Sequence, residues 1–400
     1  MIQDNTLCEL ANEFGTPLYV YDKEKIEEKA AKLQNAFKDM KARFFYACKA
    51  LSNINILKTI AQSGVGLDTV SINEVRLGLK AGFEPKNILF TPNCVAFAEI
   101  AEAKELGVHI NIDNISILEQ FGNEFGDSYP VMIRLNPHIM AGGNYKISTG
   151  HIDSKFGISI HQMRHIERVV KTTNIKVEGL HMHTGSEIKD VSVFMQGLEV
   201  MLQAVEHFPD IEYLDLGSGF KVPYRDDELE TDVKELAVSL KKRLDEWQEE
   251  TNKEIEIWFE PGKFLVSECG HFIVQTNVIK QTPATVFAGV NSGFNHLIRP
   301  MFYDAYHKIE NISHPNGTKR IYTVVGNLCE TDTFAWDRVI AEIDEGDYLV
   351  FRNAGAYAFE MASRFNSRLL PAEVLVSNGK GQLIRKRDEF ENLLANQVEL

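Results

Sequence analysis

A lysine follows directly on an apolar run in FFYACKALSN, residues 44–53. A lysine at the end of a strand usually extends its ammonium group into water. In the alternative, Lys49 is a Schiff-base amine, which requires an apolar approach that keeps the amine reactive. Lys49 by itself favours the solvent-exposed role, so the choice depends on the other polar strand ends of the chain.

Polar or glycine-rich stretches follow several other apolar runs. They are GLDTVS with Asp68 and Ser71, RLN with Arg134 and Asn136, HMHTGS at 181–186, DLGSG at 215–219 and EPGK at 260–263. GSG and EPG are compatible with simple turns, but glycine backbone can also approach an anion closely. Together with Ser186 and Lys263 they predict a phosphate cradle. A phosphate-bearing aldehyde is the ligand that Lys49 would hold, so the cradle favours the Schiff-base role.

His181 and His183 are two positions apart, so on a strand their side chains would lie on the same face. Histidine pairs of this kind bind metal in some barrel hydrolases. Those enzymes carry further His and Asp ligands at later strand ends. The later ends here offer Asp215 and Glu260 but no histidine. We therefore predict no metal, and a single imidazole stacked on a flat cofactor ring.

The five cysteines are widely spaced and include no CxxC pair; they are Cys8, Cys48, Cys94, Cys269 and Cys329. This pattern argues against a disulfide framework and against a thiolate zinc site, and it favours a reduced protein. A lone cysteine is more often a buried apolar residue than a catalyst. Cys329 differs because the polar residues Glu330, Thr331 and Asp332 follow it, which argues against plain core filling.

Eight strand-like runs alternate with segments of helical period between residues 23 and 262. The runs are 42–47, 65–70, 87–92, 108–112, 130–136, 176–183, 212–217 and 256–261, and the helical segments are 23–40, 71–82, 96–107, 116–126, 159–173, 191–208 and 226–250. This alternation is typical of parallel βαβ units, and the count predicts a (β/α)8 TIM-type barrel. Working residues lie at the carboxyl ends of barrel strands, where Lys49, His183 and Glu260 fall.

After about residue 265, short β-rich runs separated by turns predict a second, mostly antiparallel β domain. The runs are 272–279, 285–290, 320–326, 346–355 and 372–378. The N-terminal PLYVYD lies outside the barrel count and is expected to pair with this domain. The predicted boundaries are therefore a barrel at 23–265 and a β domain formed by 1–22 and 266–400.

Composition excludes several classes of protein. The chain has 400 residues, of which 44% are hydrophobic and 25% charged, as in a globular protein of one large or two medium domains. Its formal net charge of -15 argues against a nucleic-acid partner. No apolar run approaches the roughly 20 residues of a membrane helix, and the N-terminus lacks a signal-peptide pattern. We expect a cytoplasmic protein without a membrane partner.

With these residues assembled, the sequence resembles the fold type III pyridoxal-phosphate-dependent decarboxylases over essentially the whole chain, and within them the branch that acts on diaminopimelate. The matching stretches are FFYACKALSN, GLDTVSINEV, RLNP, ISTGHIDSKFGI, GLHMHTGSEI, LDLGSGF, EPGKFLV, IRPMFYDAYHKI, NLCETDTFAWD and NAGAYAFEMASRFNSRLLPAEVLV. The resemblance implies an alanine racemase-like barrel with a β domain, pyridoxal 5'-phosphate as cofactor, and a homodimer with shared active sites.

The resemblance also implies roles for individual residues. Lys49 would form the Schiff base, His183 would stack on the ring, Glu260 would pair with the pyridine nitrogen, and the partner subunit's Cys329 would protonate the product carbon. The implied cofactor contacts are Lys49, Asp68, His183, Ser186, Gly219, Glu260, Gly262, Lys263 and Tyr357. The implied substrate contacts are Lys263, Arg299, Tyr303, Glu330 and Tyr357.

Charge predicts the substrate. Arg299 and Tyr303 would bind the distal carboxylate of meso-2,6-diaminopimelate, and Glu330 its ammonium, so that decarboxylation gives L-lysine. Ornithine would leave a buried Arg299 unpaired. The alternatives are a decarboxylase of the same fold for carboxynorspermidine, ornithine or arginine, and a non-catalytic pyridoxal-phosphate-binding protein. Retention of Lys49, Cys329 and Tyr357 argues against the last.

Three positions depart from the family pattern. Lys263 replaces the usual arginine after the EPG turn, Glu187 replaces a glutamine, and Ser218 interrupts a triple glycine. Lysine keeps the charge of arginine but loses its bidentate fork. The sequence leaves open which of Arg352, Arg364 and Arg368 contacts substrate.

Overall fold

The computed structural model describes residues 2–139 and 154–400. Its strands are β1 Leu18–Asp22, β2 Ala42–Ala47, β3 Gly66–Thr69, β4 Ile88–Phe90, β5 His109–Ile112, β6 Val131–Asn136, β7 Ile158–Ser159, β8 Val177–His181, β9 Tyr213–Asp215, β10 Glu256–Phe259, β11 Gly270–Gln281, β12 Val286–Val290, β13 Ile309–Asn311, β14 Lys319–Val325, β15 Thr333–Ala341, β16 Tyr348–Phe351, β17 Ala372–Ser377 and β18 Lys380–Arg385. Most of the predicted motif ISTGHIDSKFGI lies outside the described residues.

The helices carry the same chain-order numbering. They are α1 Asp4–Phe14, α2 Lys23–Ala36, α3 Ile54–Gln62, α4 Ile72–Ala81, α5 Phe97–Glu105, α6 Ile115–Phe125, α7 Met163–Thr173, α8 Val191–Val205, α9 Val233–Thr251, α10 Lys263–Val266, α11 Arg299–Tyr303 and α12 Phe390–Leu394. No helix in the described ranges is long and apolar enough to cross a membrane.

The barrel prediction is confirmed. Strands β2, β3, β4, β5, β6, β8, β9 and β10 pair in parallel in this order, and β10 pairs with β2 to close the sheet. Parallel strands buried on both faces require continuous apolar runs, which is why the sequence shows them. Phe45, Leu89, Met132 and Trp258 fill the interior. The barrel is thus a packed core that presents functional groups at its strand ends.

Two helices differ from the sequence-based prediction. Helix α3 was not predicted, although Asn53 caps it by accepting a hydrogen bond from the N–H of Asn55 at 3.0 Å and Ile56, Leu57 and Ile60 bury one face. Helix α9 begins at Val233 rather than at residue 226, because the Asp232 carboxylate accepts from two backbone N–H groups of its first turn. Neither difference moves a predicted strand end.

The second sheet is mostly antiparallel, as predicted. Strand β1 pairs antiparallel with β11 and parallel with β17, which confirms the pairing expected for PLYVYD. The sequence does not predict strands β13, β15 and β18; β18 is a mostly exposed edge strand, KGQLIR, with little apolar signal. The core beneath this sheet contains Leu7, Leu10, Leu18, Ile273 and Val374.

Internal contacts divide the chain into two compact units. One unit comprises Met1–Glu27, Pro223–Glu228 and Leu265–Leu400, and is called the β unit here. The other comprises Glu28–Val222 and Leu229–Phe264, and is called the barrel unit. The domain boundaries predicted from the sequence stay a prediction.

Candidate active site

Lys49 follows β2 in a single 3-10 turn, Cys48–Ala50, at the carboxyl end of the strand. Its Nζ lies 2.7 Å from Oδ2 of Asp68, a fully buried residue of β3, and Thr91 donates a hydrogen bond to Oδ1 of Asp68. Burial and the charge of Glu260 raise the pKa of Asp68, while the Lys49 ammonium opposes that rise. The Lys49 side chain is 39% exposed, so its amine is anchored and still accessible to an aldehyde.

Glu260 follows β10 and is 7% exposed. Its Oε2 lies 3.3 Å from Nε2 of His181, and Asn111 donates to Nδ1 of the same imidazole at 2.5 Å, which leaves a ring proton on Nε2. Oε1 of Glu260 has no hydrogen-bond partner in the part of the chain that the structure describes. Burial alone would raise the pKa of Glu260, but His181 and Lys49 lower it to about 2. A buried, ionised oxygen without a donor fits a protonated ring nitrogen.

The ligand atoms of His181, Asp215 and Glu260 lie within 4.8 Å of one another, an arrangement that a metal ion could use. His183 is not in this group, because β8 ends at His181 and strand alternation does not extend to His183. His181, and not His183, is the histidine that lies with the two later carboxylates. Burial and Glu260 raise the pKa of Asp215 well above its ordinary value, so the negative charge of the group resides on Glu260.

His183 is held by the backbone of the loop after β9. The N–H of Ser218 donates to its Nδ1 at 3.3 Å, and a side chain on Gly217, where φ is 65°, would lie 2.6 Å from the same nitrogen. Burial and the Arg134 charge lower the pKa of His183 to about 3, so the imidazole is neutral. A neutral ring held by backbone suits stacking on a flat cofactor.

Two loops meet where the sequence predicts the phosphate cradle. The N–H of Ile188 donates to the carbonyl of Gly219 at 2.7 Å. Gly219 has φ 107°, and a side chain there would collide with the carbonyl of Gly185. This close approach requires glycine and leaves the backbone bare, as phosphate binding requires. Ser186 lies in the same loop as Gly185 and is half-buried.

The two charged departures from the family pattern are partners. Nζ of Lys263 forms a short ion pair with the Glu187 carboxylate. The Lys263 side chain is 10% exposed and that of Glu187 25%. Glu187 has φ 65°, a backbone conformation that is uncommon for a residue other than glycine. The sequence-based prediction treated the two positions separately and did not foresee this pairing.

In the β unit, Arg299 and Tyr303 begin and end α11, one helical turn apart. Arg299 is 7% exposed, and no carboxylate lies within ion-pair distance of it among the described residues. Its contacts are neutral: Nε donates to Nε2 of His307 at 3.4 Å, and the guanidinium lies 5.3 Å from the ring centre of Tyr224. Arg299, Tyr224 and His307 are called the Arg299 pocket. A buried cation with neutral neighbours fits an anionic ligand.

The other arginines considered from the sequence are engaged elsewhere in the β unit. Arg352 forms ion pairs with Glu310 at 2.8 Å and Asp4 at 2.5 Å. Arg364 pairs with Asp388 at 2.6 Å, and Arg368 donates to the Asn327 carbonyl at 3.0 Å. Arg352 and Arg364 thus have carboxylate partners and Arg368 has a carbonyl partner. The side chain of Arg299 instead contacts His307 and Tyr224.

Cys329 and Glu330 are exposed residues of the β unit. The N–H of Cys329 donates to Oδ1 of Asn366 at 3.0 Å, and Nδ2 of Asn366 lies 3.2 Å from the thiol sulfur. Tyr357 is half-buried and has φ 54°. A bulky residue in the left-handed region is strained, and such strain is common at functional sites.

Within the barrel unit, the structure brings together the predicted residues Lys49, Asp68, His183 and Glu260. Sequence reasoning missed Thr91, Asn111, Tyr224 and His307. Thr91 follows β4 and Asn111 lies in β5, and both are polar residues at apolar runs that had been predicted as strands. Inspection of every predicted strand end would have found these two.

The fold and the site define a pyridoxal-phosphate-binding barrel of the decarboxylase class: residues 23–267 match the family model described as "Pyridoxal-dependent decarboxylase, pyridoxal binding domain". Diaminopimelate decarboxylase of Methanothermobacter thermautotrophicus is 37% identical over 97% of this chain and 93% of that protein. The enzyme of Aquifex aeolicus is 34% identical over 100% of this chain and 96% of its own. The chain belongs to the diaminopimelate decarboxylase family, which confirms the resemblance seen in the sequence.

A solved structure shows the same fold along nearly the whole chain. Diaminopimelate decarboxylase from Helicobacter pylori complexed with L-lysine has a TM-score of 0.89 and 30% identity, and the match covers 97% of this chain and 98% of that one.

Proposed function

We propose that this protein decarboxylates meso-2,6-diaminopimelate to L-lysine with pyridoxal 5'-phosphate as cofactor. The observation that carries the choice of substrate is the buried Arg299 guanidinium, which has only neutral contacts among the described residues. A substrate whose distal end carries a hydrogen or an amine in place of the carboxylate would leave this cation unpaired. A distal carboxylate would neutralise it. The L-lysine complex of the Helicobacter pylori relative supports the same product class.

Residues of the barrel unit would hold the cofactor. The Lys49 amine would hold its aldehyde and His183 would stack on its ring. Oε1 of Glu260, which accepts no hydrogen bond from another described residue, would pair with its protonated ring nitrogen. The phosphate contacts would be Ser186, Gly219, Gly262 and Lys263, together with Tyr357, which belongs to the β unit. Bound pyridoxal phosphate supplies an electron-poor ring that accepts the electron pair left when carbon dioxide departs. The Asp68 carboxylate would hold the Lys49 ammonium group once Lys49 is displaced from the cofactor.

Substrate recognition and proton delivery would use residues of the β unit. Arg299 and Tyr303 would bind the distal carboxylate. The partner subunit's Cys329 would donate its thiol proton to the carbon that has lost carbon dioxide, and the partner subunit's Glu330 would bind the distal ammonium. The exposure of both residues in one chain supports a homodimer with shared sites. We further propose a cytoplasmic enzyme with domain boundaries at 23–265 and 1–22 plus 266–400.

The test is a carbon dioxide release assay with pyridoxal phosphate on meso-diaminopimelate, ornithine, arginine, lysine and carboxynorspermidine. We expect release from meso-diaminopimelate, with at least about 10²-fold preference because the competing substrates leave Arg299 unpaired. Release from another substrate with silence on diaminopimelate would overturn the proposal.

Lys49→Ala tests the cofactor assignment in the same assay. Loss of the covalent attachment should abolish turnover and the visible absorbance of the bound cofactor. Lys58→Ala, a change at an exposed lysine of α3, is the control and should retain both. A Lys49→Ala protein that keeps the wild-type absorbance would refute the role of Lys49.

A further inference from the structure

His307 faces Arg299 with a defined ring nitrogen. Its Nδ1 lies 2.9 Å from the carbonyl oxygen of Arg352, and because a carbonyl only accepts, Nδ1 carries the ring proton. Nε2 is therefore a bare acceptor, and it faces Nε of Arg299 at 3.4 Å. The backbone of the β unit thus selects the tautomer that can accept from Arg299.

Burial and two positive charges keep the His307 imidazole neutral. His307 is 2% exposed, and burial together with the charges of Arg299 and Arg338 lowers its pKa to about 3, although the Arg352 carbonyl opposes the shift. The Tyr224 ring packs edge-on at 5.5 Å and adds no charge. Protonation of His307 would place an N–H group and a positive charge against the Arg299 guanidinium. The hydrogen bond from Arg299 Nε to His307 Nε2 therefore requires a neutral imidazole.

A neutral acceptor has a particular consequence for a buried arginine. It holds the guanidinium through Nε and leaves both Nη groups, which form the bidentate edge, for a carboxylate. A carboxylate at position 307 would also hold Arg299 but would neutralise it and remove its attraction for an anion. Tyr224 keeps its ring in place by donating to Oγ of Ser267 at 3.0 Å.

We propose that His307 is a positioning residue for substrate specificity, which orients Arg299 through a neutral ring nitrogen and so keeps its full charge and bidentate edge for the distal carboxylate of the substrate. This inference rests on the proposed function. It extends that function by adding a residue, His307, that the sequence analysis does not place in the site. His307 acts through Arg299 and contacts no reacting atom.

The test compares two ligands of the holoenzyme that differ by one carboxylate, L-lysine and cadaverine. In the wild type we expect L-lysine to bind at least about 10-fold more tightly, because Arg299 contacts the carboxylate that cadaverine lacks. His307→Phe should reduce this ratio toward unity by weakening L-lysine binding alone. With meso-diaminopimelate it should raise KM about 10-fold and change kcat less than about twofold.

His271→Phe is the matched control. His271 is also a 2% exposed histidine of the β unit whose pKa burial lowers to about 3, but neither ring nitrogen has a hydrogen-bond partner within residues 2–139 and 154–400. It should leave the ligand ratio unchanged. If His307→Phe and His271→Phe give the same ratio, His307 is a packing residue and the inference is wrong.

Two amide variants test the acceptor itself. His307→Asn can still donate to the Arg352 carbonyl but has no acceptor at the Nε2 position, and should resemble His307→Phe. His307→Gln places its amide oxygen near the Nε2 position and should recover most of the wild-type ratio. Equal ratios for the two variants would overturn the inference even if His307→Phe did not fold. A wild-type ratio near unity would instead contradict the proposed role of Arg299.

Discussion

The barrel unit and the β unit treat the cations Lys49, Lys263 and Arg299 of their candidate sites differently. At the barrel strand ends, Lys49 pairs with Asp68 and Lys263 with Glu187. In the Arg299 pocket, the guanidinium meets an imidazole nitrogen and an aromatic face, and no carboxylate in the described chain lies within ion-pair distance. The barrel site is thus nearly neutralised by its own residues, while the Arg299 pocket lacks a negative charge.

The difference follows from what each region would bind. A cofactor that remains through many turnovers brings a phosphate, a ring nitrogen and an aldehyde. The barrel unit offers paired lysines and an ionised carboxylate oxygen, Oε1 of Glu260, that accepts no hydrogen bond from another described residue. A substrate must bind and leave in every cycle, so its carboxylate is best matched by a cation without an internal competitor. An unpaired buried charge therefore indicates a ligand more strongly than a paired one.

Glu260→Gln would break the barrel side of the comparison and has the largest expected effect. The amide keeps the shape but removes the ionised oxygen, so kcat should fall about 10³-fold with cofactor still bound. Glu256→Gln, in the same strand and half-buried, is the control. If Glu260→Gln turned over at the wild-type rate, the proposed pairing of the Glu260 carboxylate with the ring nitrogen of the cofactor would be wrong.

Arg299→Met tests the buried cation of the Arg299 pocket. It removes the bidentate contact, so kcat/KM for meso-diaminopimelate should fall about 10²-fold, mainly through KM. Because the variant no longer buries a charge without a counter-ion, its stability should be unchanged or higher. Arg364→Met, at an arginine that already pairs with Asp388, should change neither quantity. An unchanged KM would exclude Arg299 from the substrate site.

Glu187→Gln would sharpen the comparison by making a paired barrel cation resemble Arg299. Lys263 would lose its internal counter-ion, and its charge would become available to the cofactor phosphate. We expect the Kd of pyridoxal phosphate to fall roughly threefold to tenfold, measured by absorbance titration. Glu167→Gln, at a half-buried glutamate paired with His207, is the control. Weaker binding would mean that Glu187 orients Lys263 rather than neutralises it.

The barrel was predictable because its signal is local. Each parallel strand is buried on both faces and reads as an apolar run, and a helical period separates the runs. The sequence does not predict helix α3, although the helix has a cap at Asn53 and an apolar face, because it begins only a few residues after the Lys49 turn. Strand β18 has too little apolar sequence to be recognised, because it lies at a sheet edge.

The sequence predicts the residues of the candidate site that lie at strand ends and in motifs. It does not predict which side chains of different strands contact one another. Lys49, His183 and Glu260 could be named from the sequence because a barrel assembles its strand ends at one face. The partners of these residues could not. Asn111 contacts His181 from a strand 70 positions away, and Lys263 contacts Glu187 from 76 positions away.

The sequence by itself determined the barrel, the family and the residues at the strand ends, because apolar periodicity and motifs are properties of neighbouring positions. Only the tertiary structure decided which charges are neutralised. It paired Lys263 with Glu187. Within residues 2–139 and 154–400, it left Oε1 of Glu260 without a donor and placed Arg299 against His307 rather than a carboxylate. The physical reason is that charge pairing depends on distances of a few ångströms between residues far apart in the chain, and folding alone sets those distances.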